Sequence, residues 1–292
     1  MTTLWLHSGR RSLVRALRFA AVGLFLSIAA FAAPAAPPTL KTTELGKGPT
    51  IVIVHALGGS RADWAATAAK LAARYRVVTV DLQGHGDSAL PDSFTFAAAG
   101  AALAQVLAAQ PAGGSVVVGH QVGGRVALAA LAAHSELARG LVLIDAPVAL
   151  PVKLADEQKN AFLASMASSY DGVSRMMFSN LGRDTAQSRV IFESFARTKP
   201  ATVQAFVREG FFSDGNRDAL ALKVPTLMLA TSRLWKPGMT SGAVLTQLGW
   251  ADTSAAVRRL PDSGYWAMKD QPDSLALIIG EFAAARFGAK AK

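Results

Sequence analysis

The sequence contains no cysteine among its 292 residues. This absence excludes disulfide bonds, thiolate metal ligands and a cysteine nucleophile. Charge is also scarce, because 17% of the residues are charged while 51% are hydrophobic. A chain of this length and composition can bury a sizeable core, either as one large domain or as a domain with an inserted subdomain.

Histidine is rare and unevenly placed. The five histidines are His7, His55, His85, His120 and His134, and none follows His134. Histidine is the side chain that proteins use most often as a general base. Any catalytic histidine must therefore come from the first half of the chain.

Signals for nucleic acid, metal and cofactor binding are also missing. The formal net charge is +10, but the lysines and arginines are scattered and form no basic run with interleaved aromatic residues. The sequence shows no metal-ligand spacing, phosphate loop or dinucleotide fingerprint. We therefore expect no nucleic-acid partner, no metal and no cofactor. A small-molecule ligand is the expected partner, and a protein partner is left open.

The first 35 residues have the pattern of an export signal. A basic start with Arg10, Arg11, Arg15 and Arg18 precedes an apolar stretch over residues 20–33, which is short for a membrane span. Small-residue cleavage sites follow at residues 30–32 and 33–35. The sequence thus predicts a periplasmic or secreted protein. A general secretion signal is favoured over a twin-arginine signal, and the chain touches a membrane only if the signal stays uncleaved.

The remaining chain alternates short β-branched runs with alanine-rich segments. The runs predict strands at residues 51–54, 77–80, 116–118, 141–144, 224–229 and 256–260. The alanine-rich and amphipathic segments predict helices at residues 61–74, 94–109, 122–133 and 272–287. Continuous apolar strands separated by helices are typical of a parallel sheet that is buried on both faces.

These patterns predict an α/β fold with a doubly wound, mostly parallel sheet. Residues 36–47 form a linker and the first strand region, and residues 48–150 and 223–288 form the core. Residues 151–222 carry both charges and contain no convincing strand. They predict a helical cap inserted into the core.

Several motifs resemble those of the α/β-hydrolase family. Residues 55–60 (His-Ala-Leu-Gly-Gly-Ser) resemble its oxyanion loop, and residues 81–88 (Asp-Leu-Gln-Gly-His-Gly-Asp-Ser) resemble its Asp-x-x-Gly-His-Gly-x-Ser turn. Residues 119–123 (Gly-His-Gln-Val-Gly) resemble its Gly-x-Ser-x-Gly nucleophile elbow. Residues 224–226 and 261–266 resemble the segments that normally carry the acid and the histidine. The resemblance implies a sheet of the α/β-hydrolase type with a cap.

The resemblance also implies where a catalytic triad would lie. The family's order is serine, acid and histidine, and the corresponding positions hold Gln121, Arg233 and Tyr265. An amide cannot form an acyl-enzyme, so ordinary serine hydrolysis is not expected. The backbone amides of Leu57 and Val122 correspond to the family's oxyanion hole.

One hypothesis gives the replacement residues a chemical role. If Arg233 lies beside Tyr265, the guanidinium favours the phenolate and lowers the pKa of the tyrosine. Tyr265 could then act as an acid, a base or an anion-binding donor, while Gln121 holds a carbonyl. The alternative is that Arg233 and Tyr265 only fill a vacated pocket.

Further candidate ligand contacts are His55, His120, Asp145, Met176 and Phe178. The two histidines can instead support loops, and Asp145 can be a structural carboxylate. Thioether and aromatic side chains in the cap suit an apolar ligand, although they can also serve core packing.

Three functions remain open at this point. The first is a pseudo-hydrolase that binds a small apolar or carbonyl-containing ligand, or a partner protein. The second is an enzyme of a different mechanism, such as a lyase, an isomerase or an atypical ester hydrolase. The third is ordinary ester hydrolysis, which requires the triad assignment to be mistaken.

Overall fold

The protein is built on one central sheet. The computed structural model describes residues 39–251 and 256–288. Within them lie the strands β1 (Thr42–Leu45), β2 (Thr50–Val54), β3 (Arg76–Val80), β4 (Ser115–His120), β5 (Ala138–Ile144), β6 (Thr226–Thr231) and β7 (Ala256–Leu260). They pair in the order β1-β3-β2-β4-β5-β6-β7. Only the pairing of β1 with β3 is antiparallel in this sheet. The predicted, mostly parallel sheet is confirmed.

Burial on both faces explains why the central strands are continuous apolar runs. Every residue of β2 and β4 is buried, and so are the last five residues of β5. Parallel strands need crossover connections, and helices in these connections cover both faces of the sheet. The short strand β1 is exposed along its length, as an edge strand can be.

Helices fill most of the connections. Between residues 39 and 251 they are α1 (Ala65–Leu71), α2 (Phe96–Ala108), α3 (Val122–Ala133), α4 (Asp156–Ser168), α5 (Tyr170–Phe178), α6 (Thr185–Arg197), α7 (Pro200–Phe212), α8 (Asn216–Ala221) and α9 (Ser241–Gln247). After residue 255 they are α10 (Ala267–Asp270) and α11 (Pro272–Phe287), and short 3₁₀ turns lie at Arg61–Trp64 and Ser135–Leu137.

The helix predictions agree with the structure except in short elements. Helices α3 and α11 have the predicted bounds, while the predicted helix over residues 61–74 begins as a 3₁₀ turn and ends at Leu71. Helices α9 and α10 were not predicted, since seven and four residues are too few to show a clear helical period.

The insertion between β5 and β6 is helical, and it contains α4 to α8 without any strand among its described residues. Asp184 starts α6 by accepting a hydrogen bond from the Gln187 amide, and Pro200 occupies the first turn of α7. The sheet and the insertion belong to one compact unit. The names core and cap therefore refer to positions along the chain and not to separate compact units.

The predicted export signal at residues 1–35 lies outside the described residues. In the part of the chain that is described, none of the helices combines the length and the apolar character needed to cross a bilayer. Export and localisation therefore stay predictions.

Candidate functional site

A strained turn joins β4 to α3 at the carboxyl edge of the sheet. Gln121 occupies this turn with φ 54° and ψ −120°, a backbone conformation that L-residues rarely adopt. The backbone N–H of Gln121 donates a hydrogen bond to the Ile144 carbonyl oxygen at 2.9 Å. Strain of this kind persists where the surroundings fix the backbone, and it is concentrated at functional sites. The turn therefore presents the Gln121 side chain at the end of the sheet.

Glycines allow this turn to pack closely. A Cβ atom on Gly119 would lie 2.5 Å from the Gly124 Cα, and one on Gly123 would lie 2.4 Å from the His55 carbonyl oxygen. In both cases the obstructing atoms are backbone atoms, which cannot turn away. The glycines are thus required by the approach of α3 to β4 and to the loop after β2.

We expect Gly123→Ala to lower the free energy of unfolding by about 2 kcal/mol or more, because overpacking forces the backbone to shift. Urea unfolding measures this change. Gly172→Ala is the matched control, since Gly172 is an exposed residue of α5 with no atom within 4 Å of the added methyl group. The control should keep or raise stability. Equal effects of both substitutions would contradict the packing argument.

A cavity of about 240 Å³ lies between the turn and the cap. It is lined mainly by apolar side chains. On the sheet side these residues are Leu57, Phe96, Gln121, Val122, Arg125 and 147–150, and on the cap side they are Met177, Phe178, Phe206, Val207, Gly210, Phe211 and Ser213. Pockets with apolar walls and a few polar groups are typical small-molecule sites. We call this space the elbow cavity.

Two backbone amides at the elbow cavity are free. Leu57 and Val122 both line it, and among the described residues neither amide N–H has a hydrogen-bond acceptor. The Val122 amide belongs to the first turn of α3, where helix geometry leaves N–H groups unpaired and the dipole favours negative charge. Together with the Gln121 amide group, these donors suit a carbonyl or an anionic oxygen.

The cap and Tyr265 hold the loop that carries the Leu57 amide. Tyr265 donates its hydroxyl hydrogen to the Leu57 carbonyl at 3.2 Å, and Ser194 of α6 donates to the Gly58 carbonyl at 2.9 Å. Gly58 has φ 75°, and a Cβ atom there would lie 2.5 Å from the Phe195 ring. The loop is therefore held by Tyr265 and by helix α6 of the cap.

The hypothesis that Tyr265 has a lowered pKa is wrong. Tyr265 is buried, and this burial raises its pKa well above the ordinary value. Arg233 favours the phenolate, but the burial outweighs it, and the charge of buried Asp145 raises the pKa further. Arg233 itself is exposed and donates to the Asn180 carbonyl at 3.3 Å. Tyr265 thus stays neutral and acts as a hydrogen-bond donor to the loop.

The candidate histidines lie beneath the cavity rather than in its wall. His55 is fully buried, accepts a hydrogen bond from the Leu82 amide at 3.0 Å and lies 2.7 Å from the Ala56 carbonyl. Burial lowers its pKa to about 4. Both ring nitrogens therefore serve the backbone, so His55 supports the loop and leaves no group for a ligand.

His120 is packed between aromatic rings. Its ring centroid lies 5.4 Å from that of Tyr265 and 6.2 Å from that of Trp64. Burial lowers its pKa to about 3, although the nearby Tyr265 backbone slightly favours the charged form. Neither ring nitrogen makes a hydrogen bond of ordinary geometry to a described residue. His120 does not line the elbow cavity, which corrects its prediction as a ligand contact.

Asp145 is held by the next strand. It follows β5 with φ 45° and accepts hydrogen bonds from the Thr231 amide at 2.9 Å and from the Thr231 hydroxyl at 2.5 Å. Burial raises its pKa to about 6, and the Thr231 hydrogen bonds oppose that rise. Its place beside Tyr265 and its absence from the cavity wall make it a buried structural carboxylate.

The cap contacts need one further correction. Phe178 lines the elbow cavity, but Met176 is 68% exposed and points to solvent. Met177 lines the cavity instead, because neighbouring residues of a helix face different directions. The sequence reasoning also missed Arg125. An arginine inside an otherwise apolar stretch of α3 is the signal that could have identified it.

No group of three or more His, Asp or Glu side chains that could hold a metal ion is found within residues 39–251 and 256–288. The expectation that the protein uses no metal or cofactor stays a prediction.

Comparison with known proteins identifies relatives of this chain. A family model described as the alpha/beta hydrolase family matches residues 51–276. An uncharacterized protein of Mycobacterium tuberculosis is 32% identical over 122 residues, which are 38% of this chain and 36% of that protein. Lipase LipV of the same species is 42% identical over 89 residues, which are 30% of this chain and 34% of the lipase. The chain thus spans little more than a third of the length of these curated relatives.

Solved structures share the fold over most of the chain. A thermophilic esterase from Thermogutta terrifontis superposes with a TM-score of 0.70 and 22% sequence identity, over 85% of this chain and 93% of the esterase. At this level of identity the likeness concerns the fold alone. It agrees with the predicted sheet of the α/β-hydrolase type.

Proposed function

Because the chain belongs to the alpha/beta hydrolase family, we propose that it is an exported member that binds a small ligand in the elbow cavity without Ser-Asp-His chemistry. The observation that carries the proposal is Gln121 at the strained turn, where the family places its nucleophile. An amide side chain offers hydrogen bonds but no nucleophile. No histidine follows His134 in the sequence, so the usual base is missing as well.

The walls of the cavity support an apolar ligand with a carbonyl group. Phe178, Phe206 and Phe211 offer apolar contact from the cap. The backbone amides of Leu57 and Val122, which have no acceptor among the described residues, and the Gln121 side chain offer hydrogen-bond donors in the sheet-side wall. A carbonyl placed there would accept hydrogen bonds while its hydrocarbon part stays among aromatic rings.

Export is the other part of this proposal. The basic start, the apolar stretch over residues 20–33 and the small residues that follow support it.

The free amides also favour a second candidate function. Backbone donors that line the same cavity suit an oxyanion, and an oxyanion hole alone gives slow catalysis. An enzyme of a different mechanism, for example a lyase, an isomerase or an atypical ester hydrolase, could use them with Gln121. Turnover that is lost in Gln121→Ala would favour this candidate over a binding protein.

A ketone that cannot be hydrolysed tests the binding proposal. We expect 2-decanone to bind the purified protein saturably in isothermal titration calorimetry. Gln121→Leu should weaken binding about fivefold, because one net hydrogen bond contributes on the order of 1 kcal/mol. Gln110→Leu is the matched control, since Gln110 follows α2 and does not line the elbow cavity. No saturable binding, or equal weakening by both substitutions, would refute the proposal.

A further inference from the structure

Arg125 places a cationic side chain in the wall of the elbow cavity. It is the only charged residue among the described residues that line the cavity, and it is 5% exposed. Its Nη1 lies 2.7 Å from the Asp218 carboxylate, and its guanidinium carbon lies 5.2 Å from the centre of the Phe96 ring. Its Nε has no hydrogen-bond partner among the described residues. A buried arginine that uses part of its donor capacity attracts an anion.

The other polar groups of the cavity also favour an anion. Among the described residues the backbone amides of Leu57 and Val122 have no acceptor, and Val122 lies in the first turn of the twelve-residue helix α3. Gln121 adds a side-chain donor. No acidic side chain is among the described residues that line the cavity. An oxygen atom with negative charge is therefore favoured over a neutral one, since charge-assisted hydrogen bonds are roughly twice as strong as neutral ones.

We infer that the ligands of the elbow cavity are apolar monocarboxylic acids. The carboxylate lies at the Leu57 and Val122 amides beside Gln121, and Arg125 supplies positive charge from the same wall. The hydrocarbon part lies among the phenylalanine rings of the cap. This inference rests on the proposed binding function and specifies the chemical class of the ligand.

Paired titrations test the ligand class. Decanoate and 2-decanone have chains of equal length and differ at the polar end, so their affinities are compared on the purified protein at neutral pH. We expect decanoate to bind roughly tenfold or more tightly than the ketone. Equal or weaker binding of decanoate, with the ketone still bound, would overturn the carboxylate inference and leave the binding proposal standing. If neither compound binds, both are overturned.

Substitutions at the ion pair test the role of Arg125. Arg125→Met combined with Asp218→Asn removes both charges, so that the Asp218 carboxylate is not left without its counter-charge. We expect this variant to bring the ratio of the two affinities close to one, and Arg125→Lys to restore part of the preference. Asp218→Asn alone should tighten decanoate binding, because it removes the counter-charge of Arg125. A purely structural Arg125 would not produce that gain. A tenfold preference that survives in the double variant would overturn the role of Arg125.

Discussion

The triple variant Gln121→Ser, Arg233→Asp, Tyr265→His should hydrolyse a short activated ester at least about 100-fold faster than the parent protein. Enzymes that lose triad members lose most of their rate, so serine, aspartate and histidine placed at the three corresponding positions should raise the rate. The scaffold offers the strained turn at Gln121 and the free Leu57 and Val122 amides. Initial rates of ester hydrolysis measure the effect.

The single variant Gln121→Ser is the control for this experiment. It supplies a hydroxyl group without a base, and a serine hydroxyl is a poor nucleophile until a base takes its proton. It should therefore remain near the parent rate. Thermal unfolding of all variants separates loss of folding from absence of chemistry. A triple variant that folds but stays inactive would show that these positions are not arranged as a triad.

The second large effect is a loss of stability in mild acid. Burial lowers the pKa of His55 to about 4 and those of His85 and His120 to about 3, from an ordinary 6.5. Unfolding below pH 6.5 therefore takes up protons at all three side chains. The stability that depends on neutral histidines is present above pH 6.5 and is lost as the pH falls towards 4. Between pH 7 and pH 5 the three histidines together lower the unfolding free energy by about 5 to 6 kcal/mol.

Asp145 acts in the opposite direction. Its pKa is raised from 3.8 to about 6 in the folded protein, so between these values the folded state holds a proton that the unfolded chain does not. Lowering the pH from 7 to 5 therefore raises the contribution of Asp145 to the unfolding free energy by about 1 kcal/mol. The net expected loss is about 4 kcal/mol, measured by urea unfolding at pH 7, 6 and 5.

His120→Leu isolates one of these contributions. Neither ring nitrogen of His120 makes a hydrogen bond of ordinary geometry to a described residue, so leucine removes a titrating group without breaking a well-formed hydrogen bond. The decrease in unfolding free energy between pH 7 and pH 5 should be about 2 kcal/mol smaller in this variant. His134→Gln changes a histidine whose side chain is half exposed and should leave the loss as it is. An unchanged loss in His120→Leu would contradict the account.

The fold could be predicted from the sequence because its signals are local. Apolar runs of three to six residues mark strands buried on both faces, and Gly119 and Gly123 mark a turn that no larger residue can make. The edge strand β1 is exposed along its length and gives a weak signal. The position of Gln121 at the elbow followed from the order of motifs along the chain.

The candidate site could be predicted only in part, because its details depend on packing across the chain. The rotation of α5 about its axis decides whether Met176 or Met177 meets the cavity, and packing against α4 and α6 sets that rotation. The sequence places Arg233 and Tyr265 in neighbouring segments, but it cannot weigh burial against charge, and burial decides the pKa of Tyr265. Arg125 lies in the wall because the cap closes over the start of α3.

The most direct test of the central claim is the hydrolysis of a short activated ester by the purified protein beside its Gln121→Ala variant. The claim is that the Gln121 turn binds a ligand and performs no ester hydrolysis. We predict that the parent and the variant hydrolyse the ester no faster than an unrelated control protein prepared in the same buffers. Turnover well above that control in the parent, lost in Gln121→Ala, would contradict the claim and establish chemistry at the altered turn.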